Sequence, residues 1–305
     1  MRPAKRIIRT SMRYCLCRRR KSTSRMAYSN RIRITNRLKQ DLMKKTMYMG
    51  IALAGLLLTS CFQDLGQDPP FDYPQQPTPP PLGADGQIFY LSFDKDFEEY
   101  QSLSEALPTG TPSLTDGKKG KAYTGAKDSY LTFDVANLAA PLGSSMTFAF
   151  WYKLNPVPDR AGLLVLAPKT EGKPADKQNN RKAGFRIFRE KASAKQRIKA
   201  NVGNGTADSW LDGGAKADLD PETNAWKYVA LVLTEGKAFF YLDGEEVAAT
   251  NLTRISWDGC DLMSIGSGAP RFNEWNHLSD HSLIDELRIY NKALSAAEIK
   301  QLMNK

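Results

Sequence analysis

Short runs of apolar residues, separated by turn signals, fill most of the chain beyond its first quarter. The stretch from Trp226 to Val247 contains two such runs. Gly236 ends the first, and Asp243-Gly244 ends the second with a dipeptide that supplies positive φ in tight hairpins. Runs this short, rich in Val, Phe and Tyr, fit strands better than helices, which need longer segments with a period of about 3.6 residues. The stretch predicts two antiparallel strands and the start of a third.

The same pattern recurs on both sides of this stretch, and each run is bounded by Gly, Pro, Asn or Asp. In residues 145–153 both faces of the predicted strand are apolar, which indicates a central strand covered on each side. Residues 168–183 are polar and basic, and we expect a long exposed loop there. The other predicted strands are residues 87–94, 129–135, 162–167, 184–189, 197–202, 261–265 and 282–290.

A short helix is predicted at the carboxyl end. Ser295 and Glu298 form an S-x-x-E capping box, and Ile299, Leu302 and Met303 make one apolar face. The pattern as a whole predicts an all-β fold, a two-sheet antiparallel β-sandwich followed by this helix.

Two signatures resemble a known family. Trp226-Lys-Tyr-Val-Ala with Phe240-Tyr-Leu-Asp-Gly-Glu, and Ile284-Asp-Glu-Leu-Arg-Ile-Tyr-Asn-Lys-Ala-Leu-Ser, resemble the laminin-G-like jelly roll of the concanavalin A-like lectin and glucanase superfamily. The glycine-rich residues 117–122 and the tryptophan-containing residues 145–153 are similar to further family segments. The resemblance covers nearly all of residues 86–305. It implies a jelly roll of a kind that binds carbohydrate or protein, or that hydrolyses β-glucans.

The net charge of +10 is concentrated at the amino end. Residues 1–42 contain fourteen Lys or Arg and a single Asp, so the remainder of the chain is net −3. A nucleic-acid partner is therefore not expected for the folded part. We expect residues 1–42 to be an over-extended gene start without ordered structure, with an organellar transit peptide as the alternative.

Residues 43–61 have the zones of a secretory signal. Lys44-Lys45 precedes a run of twelve residues from Met47 to Leu58, which is short for a membrane span, and small residues lead to Cys61. The end of this segment resembles the lipoprotein box of a Bacteroides-type lipoprotein. The resemblance implies a lipid on Cys61, with a membrane anchor or core helix as the alternative. Phe62 is compatible with transfer to the outer membrane. The sequence does not indicate which leaflet of that membrane would hold the lipid.

Residues 62–85 are rich in proline, which favours extended polyproline II and predicts a spacer. Residues 86–305 then form the jelly-roll domain, long enough for one large sandwich. Of the four cysteines only Cys260 lies in this domain, so an internal disulfide is excluded there and we expect a small buried residue.

Three tryptophans lie in segments typical of loops, among Asp, Gly, Asn and Arg. An exposed aromatic ring can stack on the apolar face of a sugar while neighbouring polar groups bind its hydroxyls. Residues 269–277 hold the densest cluster of this kind, although a loop whose Trp covers the sandwich edge is an equal alternative. The predicted ligand-binding residues are Trp275, Arg271, Asn273, His277, Trp210 and Trp257.

A calcium site is a further candidate. Asp285 lies at the edge of an apolar strand face and needs a partner, since burying a carboxylate unpaired is unfavourable. Jelly rolls of this type bring the first and last strands together, so Asp94 and Asp96 are expected near it. These oxygens would suit a structural Ca²⁺, and the alternative is a hydrogen-bonded or salt-bridged Asp.

No catalytic residue is predicted. Glycoside hydrolysis needs two carboxyl groups on one side of a cleft, whereas Asp285 and Glu286 are neighbours in a strand and should point to opposite faces. We therefore predict a non-catalytic envelope lipoprotein that binds a poly- or oligosaccharide and meets the membrane through its lipid anchor only. The alternatives are a protein-binding or structural envelope module, and a glycoside hydrolase of the same superfamily.

Overall fold

A computed structural model of the chain describes residues 85–305. The predicted leader, the lipoprotein signal with Cys61, and the linker up to residue 84 lie outside these residues. The strands are β1 Gln87–Leu91, β2 Leu107–Thr109, β3 Ser113–Asp116, β4 Lys121–Thr124, β5 Tyr130–Asp134, β6 Met146–Lys153, β7 Arg160–Leu166, β8 Phe185–Ala192, β9 Lys195–Gly203, β10 Asp208–Asp212, β11 Asp218–Leu219, β12 Trp226–Leu233, β13 Lys237–Leu242, β14 Glu245–Asn251, β15 Leu262–Ile265 and β16 Leu283–Tyr290. Short 3-10 turns occur at Val135–Asn137, Ala175–Lys177, Gly214–Ala217 and Pro221–Thr223, and the helix α1 spans Ala296–Leu302.

The strands form two antiparallel sheets of eight strands each. The first sheet has the order β14-β13-β12-β6-β16-β4-β3, and β1 pairs with β16. The second sheet has the order β10-β9-β8-β7-β15-β5-β2, and β11 pairs with β9. The predicted two-sheet antiparallel sandwich is confirmed. None of the helices in the described part of the chain is long and apolar enough to cross a membrane.

Aromatic side chains from the two sheets meet in the core. Phe89 of β1 meets Phe133 of β5 edge-on at 5.0 Å between ring centroids, and Phe148 of β6 lies 4.2 Å from Phe185 of β8. All four rings are almost completely buried. Burial of such large apolar surfaces is the main stabilising term in a domain whose only cysteine, Cys260, is free.

Strand β6 is central, as predicted. Phe148 and Phe150 face the core between the sheets, while Trp151 faces the other way, into a second apolar cluster that includes Ile299 and Leu302 of α1. The predicted capping box is also present, since the Ser295 and Glu298 side chains each accept a hydrogen bond from the other residue's backbone N–H. The helix therefore covers the outer face of the first sheet.

The outer face of the second sheet carries apolar side chains too. Because side chains alternate along a strand, Phe188 of β8 points away from the core that holds Phe185 and Ile187. Phe188 forms a small cluster with Val165 and with Phe272 from the β15–β16 connection. An apolar outer face needs a cover, and this connection supplies it.

Candidate functional site

Two tryptophans from distant segments stack over the outer face of the second sheet. Trp210 lies on β10 and Trp275 on the β15–β16 connection, with their ring centroids 6.0 Å apart and their planes 18° from parallel. The Arg181 guanidinium carbon lies 4.6 Å from the Trp275 ring centroid and 5.9 Å from that of Trp210. Trp210 is 40% exposed. We call Trp210, Trp275 and Arg181 the tryptophan platform.

A layer of buried rings supports the platform. The imidazole of His277 stacks on Phe272 with centroids 4.6 Å apart and planes 10° from parallel, and Phe188 meets it edge-on at 4.6 Å. Trp275 packs edge-on against Phe272 at 5.9 Å. The Arg160 side chain donates a hydrogen bond to the Trp275 carbonyl at 3.0 Å. Trp275 is thus held from below and along its backbone.

Gly268 allows the β15–β16 connection to fold back on itself. Its N–H donates to the His277 carbonyl at 2.8 Å, and its carbonyl accepts from the Phe272 N–H at 2.7 Å. A Cβ at this position would lie 2.1 Å from the His277 carbonyl oxygen and 2.5 Å from that of Phe272. Only glycine permits this approach.

Arg181 is fixed at the platform by a carboxylate. Its Nη1 lies 3.0 Å from Oδ2 of Asp208 on β10, and the same oxygen accepts from Asn201 Nδ2 at 2.5 Å. The ion pair and the cation–π contacts therefore both hold the guanidinium next to the indoles.

The other polar residues predicted around Trp275 hold the loop in place. Arg271 Nη2 donates to both carboxylate oxygens of Asp261 at 2.7 Å, and Asn273 Nδ2 donates to the Ala175 carbonyl at 2.9 Å. His277 is completely buried, with Nε2 3.1 Å from Glu190 Oε1. These residues position Trp275 and leave little of themselves to a ligand.

Burial in this apolar layer lowers the pKa of His277 below its ordinary value, although the bond to Glu190 acts in the opposite direction. The folded protein therefore binds this proton less readily than the unfolded chain, whose His pKa is about 6.5. Stability from this group is present above that pKa and is lost as the pH falls below it, with a slope of up to about 1.4 kcal/mol per pH unit.

We expect His277→Phe to remove this contribution. The measurement is the free energy of unfolding between pH 5.5 and 7.5, compared as slopes because the substitution also changes absolute stability. Asp285 also titrates in this range, because burial, and secondarily the charge of Glu286, raises its pKa to about 7. Its contribution to the slope has the opposite sign to that of His277. Since Asp285 is present in both proteins, this contribution cancels in the comparison. Equal slopes in the two proteins would contradict a neutral buried His277.

Trp257 lies apart from the platform. It packs on the core side of the second sheet, 6.2 Å from Phe148 and 6.5 Å from Phe185, and its indole N–H donates to the Gly143 carbonyl at 2.8 Å. Together with Cys260, Asp261 and most of residues 134–142, it lines an open groove of about 570 Å³. The structure therefore brings together Trp210 and Trp275 of the predicted tryptophans, but not Trp257.

The predicted calcium ligands bind backbone N–H groups. Asp285 Oδ2 accepts from the N–H groups of Lys118 and Lys119 at 2.7 and 2.9 Å, and Asp94 Oδ1 accepts from that of Lys121 at 3.0 Å. Both carboxylates thus meet one glycine-rich turn, as the approach of the first and last strands implied. Oδ1 of Asp285 is buried and has no hydrogen-bond partner in residues 85–305.

Asp96 is exposed, and its Oδ1 accepts from the Glu98 N–H at 3.0 Å. Among residues 85–305, no three His, Cys, Asp or Glu side chains lie together as a metal site would require. Asp285 and Asp94 thus accept hydrogen bonds from the glycine-rich turn, Asp96 accepts one from its own loop, and calcium stays a prediction.

The prediction that Asp285 and Glu286 point to opposite faces was wrong. A bulge interrupts β16 after Asp285, where Glu286 adopts a φ of +52°, so the two residues do not alternate across the strand. Both carboxylates meet Lys119, through its N–H at 2.9 Å and its Nζ at 3.9 Å. The pair therefore shares one side of the sheet, but the residues are only 0% and 4% exposed and do not line an open cleft.

Three residues of the site were not predicted: Arg181, Asp208 and Phe188. Phe188 had a signal, because alternation along the strand places it on the face opposite to Phe185 and Ile187, where its neighbours Arg186 and Glu190 are charged. That face had to be covered by another segment. Arg181 and Asp208 had no local signal, since the order of β8, β9 and β10 brings them to the tryptophans.

The family follows from comparison with known sequences. The family model for the concanavalin A-like lectin/glucanases superfamily matches residues 124–300. The chain belongs to this superfamily. The part matched contains Arg181, Trp210 and Trp275, so the platform is built within the superfamily's own fold. No curated protein matches the chain in sequence.

Solved structures share the superfamily fold. Domain 4 of AbnA, a GH43 extracellular arabinanase from Geobacillus stearothermophilus, solved in complex with arabinotriose, is 20% identical with a TM-score of 0.53 and covers 71% of this chain and 97% of that one. The receptor binding domain of botulinum neurotoxin C/D mosaic serotype is 13% identical with a TM-score of 0.50, covering 72% of this chain and 51% of that one. The binding domain of botulinum neurotoxin DC in complex with rat synaptotagmin II is 14% identical with the same score and coverages. At these identities the likeness concerns the fold.

Proposed function

We propose that the sandwich is a non-catalytic carbohydrate-binding module whose contact surface is the tryptophan platform. The observation that carries the proposal is the exposed ring of Trp210, stacked with Trp275 and bordered by the Arg181 guanidinium. An indole offers an apolar face to a sugar ring, and a fixed guanidinium can donate hydrogen bonds to hydroxyl groups. The arabinotriose complex of a domain with the same fold is consistent with this role.

Preorganisation supports the same proposal. The rings below Trp275, the Arg181–Asp208 ion pair and the strand position of Trp210 fix the platform before any ligand arrives. Because these side chains are already ordered, ligand binding loses little side-chain entropy. A small contact area can then give a useful affinity.

Trp210→Ala tests the proposal. We expect the affinity for the glycan that the wild-type protein binds to fall by about ten-fold or more, because the stacking surface is removed while the buried rings stay. A glycan array would identify that glycan, and calorimetry would measure its affinity. Trp275→Ala is a less selective test, since Trp275 also packs on Phe272.

Leu103→Ala is the matched control, because Leu103 is 71% exposed and lies far along the chain from the platform. It should bind the glycan as the wild type does. Equal affinity of the Trp210→Ala and wild-type proteins would contradict the proposed surface. Sugar release during the assay would instead establish a hydrolase and overturn the non-catalytic role, which the sealed Asp285–Glu286 pair supports.

A protein partner is the second candidate. Leu103 and Leu107 are 71% and 63% exposed, the highest values among large apolar side chains of residues 85–305. β2, which holds Leu107, is the last strand in the order of the second sheet and is farthest from β10. Exposed apolar residues at a sheet edge favour protein contacts, and a superfamily fold bound to synaptotagmin II is consistent with them.

The sequence before the domain supports a location at the cell envelope. We propose that a lipid on Cys61 holds the module at the outer membrane, with the proline-rich residues 62–85 as spacer. In cells fed a labelled fatty acid, the wild-type protein should take up label and Cys61→Ala should not. Protease added to intact cells would then distinguish the outer from the inner leaflet. Label retained by Cys61→Ala would contradict the anchor.

A further inference from the structure

The loop beside the platform carries an excess of positive charge. Residues 168–183 contain five Lys or Arg and two Asp or Glu, a net charge of +3, whereas residues 85–305 together have 27 Lys and Arg against 29 Asp and Glu. A basic loop in an acidic domain is a local feature, and a loop charge of this sign attracts anions.

Most of this charge has no carboxylate partner. Arg181 pairs with Asp208, and Lys177 pairs with Asp176. The remaining three lysines form no ion pair with any carboxylate of residues 85–305. They are Lys169, Lys173 and Lys182, and all three are exposed.

A buried cation adds to the same field. Arg186, on the platform face of β8, is completely buried and donates from Nη2 to the carbonyls of Asn180 and Ala183. Its Nε and Nη1 have no hydrogen-bond partner in the described part of the chain, and no carboxylate pairs with it. Burial of an unpaired guanidinium is unfavourable unless an opposite charge compensates it. The positive potential is therefore built into the sheet beneath the loop.

Hydrogen bonds hold this loop against the Trp275 segment. The N–H of Asn273 donates to the Gln178 carbonyl at 2.8 Å, and Asn179 Nδ2 donates to Glu274 Oε2 at 2.7 Å. The Gln178 side chain closes the loop by accepting from the Thr170 N–H at 2.6 Å. The loop that carries the lysines is thus joined to the segment that carries Trp275.

We propose that the platform selects anionic glycans, whose sugar rings stack on Trp210 while carboxylate or sulfate groups face Lys169, Lys173 and Lys182. This inference rests on the proposed carbohydrate-binding function and names its ligand class. An exposed charge pair typically contributes about a two-fold gain in affinity, so three independent pairs are expected to contribute on the order of ten-fold at low salt. Added salt should reduce this part of the affinity.

The test compares the full-length protein on two sets of immobilised glycans. The anionic set holds polygalacturonate and alginate as carboxylate probes, with heparin and chondroitin sulfate as sulfate probes; the neutral set holds arabinan, galactan and xylan. We expect binding to an anionic glycan that weakens about ten-fold when Lys169, Lys173 and Lys182 are all changed to Gln. The carboxylate and sulfate probes distinguish the two substituents.

The matched control changes Lys95, Lys127 and Lys191 together to Gln, since these lysines are also exposed and Lys191 lies at the opposite end of β8 from the loop. This variant should bind like the wild type. Binding of neutral glycans alone, with loss in Trp210→Ala, would overturn the anionic selection and leave the proposed function standing. An equal loss in the loop and control variants would also overturn it, and binding to no glycan at all would overturn both.

Discussion

Asp280→Ala should lower the free energy of unfolding by about 3–5 kcal/mol, because it leaves a buried arginine without its charge partner. Arg189 and Asp280 have side chains that are 0% and 1% exposed, and their Nη2 and Oδ1 atoms are 2.7 Å apart. The carboxylate also accepts from Tyr152 at 2.7 Å and from the Ser282 hydroxyl at 2.7 Å. Its removal therefore leaves several buried donors without an acceptor.

Asp218→Ala provides the matched control. Asp218 pairs with Arg197 at 2.6 Å, but the Arg197 side chain is 26% exposed, so solvent replaces the lost partner and the expected loss is much smaller. Urea unfolding of both variants would measure the difference. A loss for Asp280→Ala as small as that of the control would contradict the importance of the buried network.

The same network affects the site. The Asp280 N–H donates to the Gly266 carbonyl at 2.8 Å, which closes the connection that carries Trp275. Arg189 lies on β8, next to Phe188 under the platform. A weakened network should therefore reduce glycan affinity as well as stability, whereas the Asp218 control should not.

Most of the strands that the sequence predicted have a buried face. Residues 145–153 and 226–242 have apolar side chains in regular alternation or on both faces, and the structure confirms strands there. The missed strands β2, β3, β4, β10 and β11 are short, and few of their residues are buried. Such strands form because a partner strand offers hydrogen bonds, and a short run with few buried side chains does not reveal that partner, even where it is a neighbouring strand along the chain, as for β3 and β10.

The candidate site was predicted only in part for a similar reason. Composition indicated the cluster around Trp275, but it could not show that His277 lies below the ring and Trp210 beside it. Trp257 has the same kind of neighbours in sequence, yet it packs on the core side of the sheet. Which face a loop tryptophan covers depends on where the loop crosses the sandwich.

The Asp285–Glu286 bulge shows a limit of periodicity. Alternation assumes an uninterrupted strand, and Glu286 departs from it with a positive φ that no local residue type requires. Its side chain accepts from Tyr90 at 2.7 Å and from Arg288 at 2.5 Å. These tertiary bonds stabilise the bulge, so the sequence pattern of β16 alone does not reveal it.

Gly268→Ala should separate Trp275 from Trp210 while the sandwich stays folded. The new Cβ would lie 2.1 Å from the His277 carbonyl oxygen and 2.5 Å from that of Phe272, and both are backbone atoms that move only with the whole connection. Overpacking of this kind typically costs about 1–3 kcal/mol of stability. The connection must open, and Trp275 then leaves its stack with Trp210.

Two measurements check this expectation, the glycan affinity and the exciton signal of stacked indoles in circular dichroism. Both should fall at least as far as in Trp210→Ala, because Gly268→Ala displaces Trp275 together with the rings below it. Gly236→Ala is the control, since a Cβ there meets nothing within 4 Å. If Gly268→Ala kept both the indole signal and the affinity, the fold of this connection would not set the platform, and recognition would depend on Trp210 and the basic loop alone.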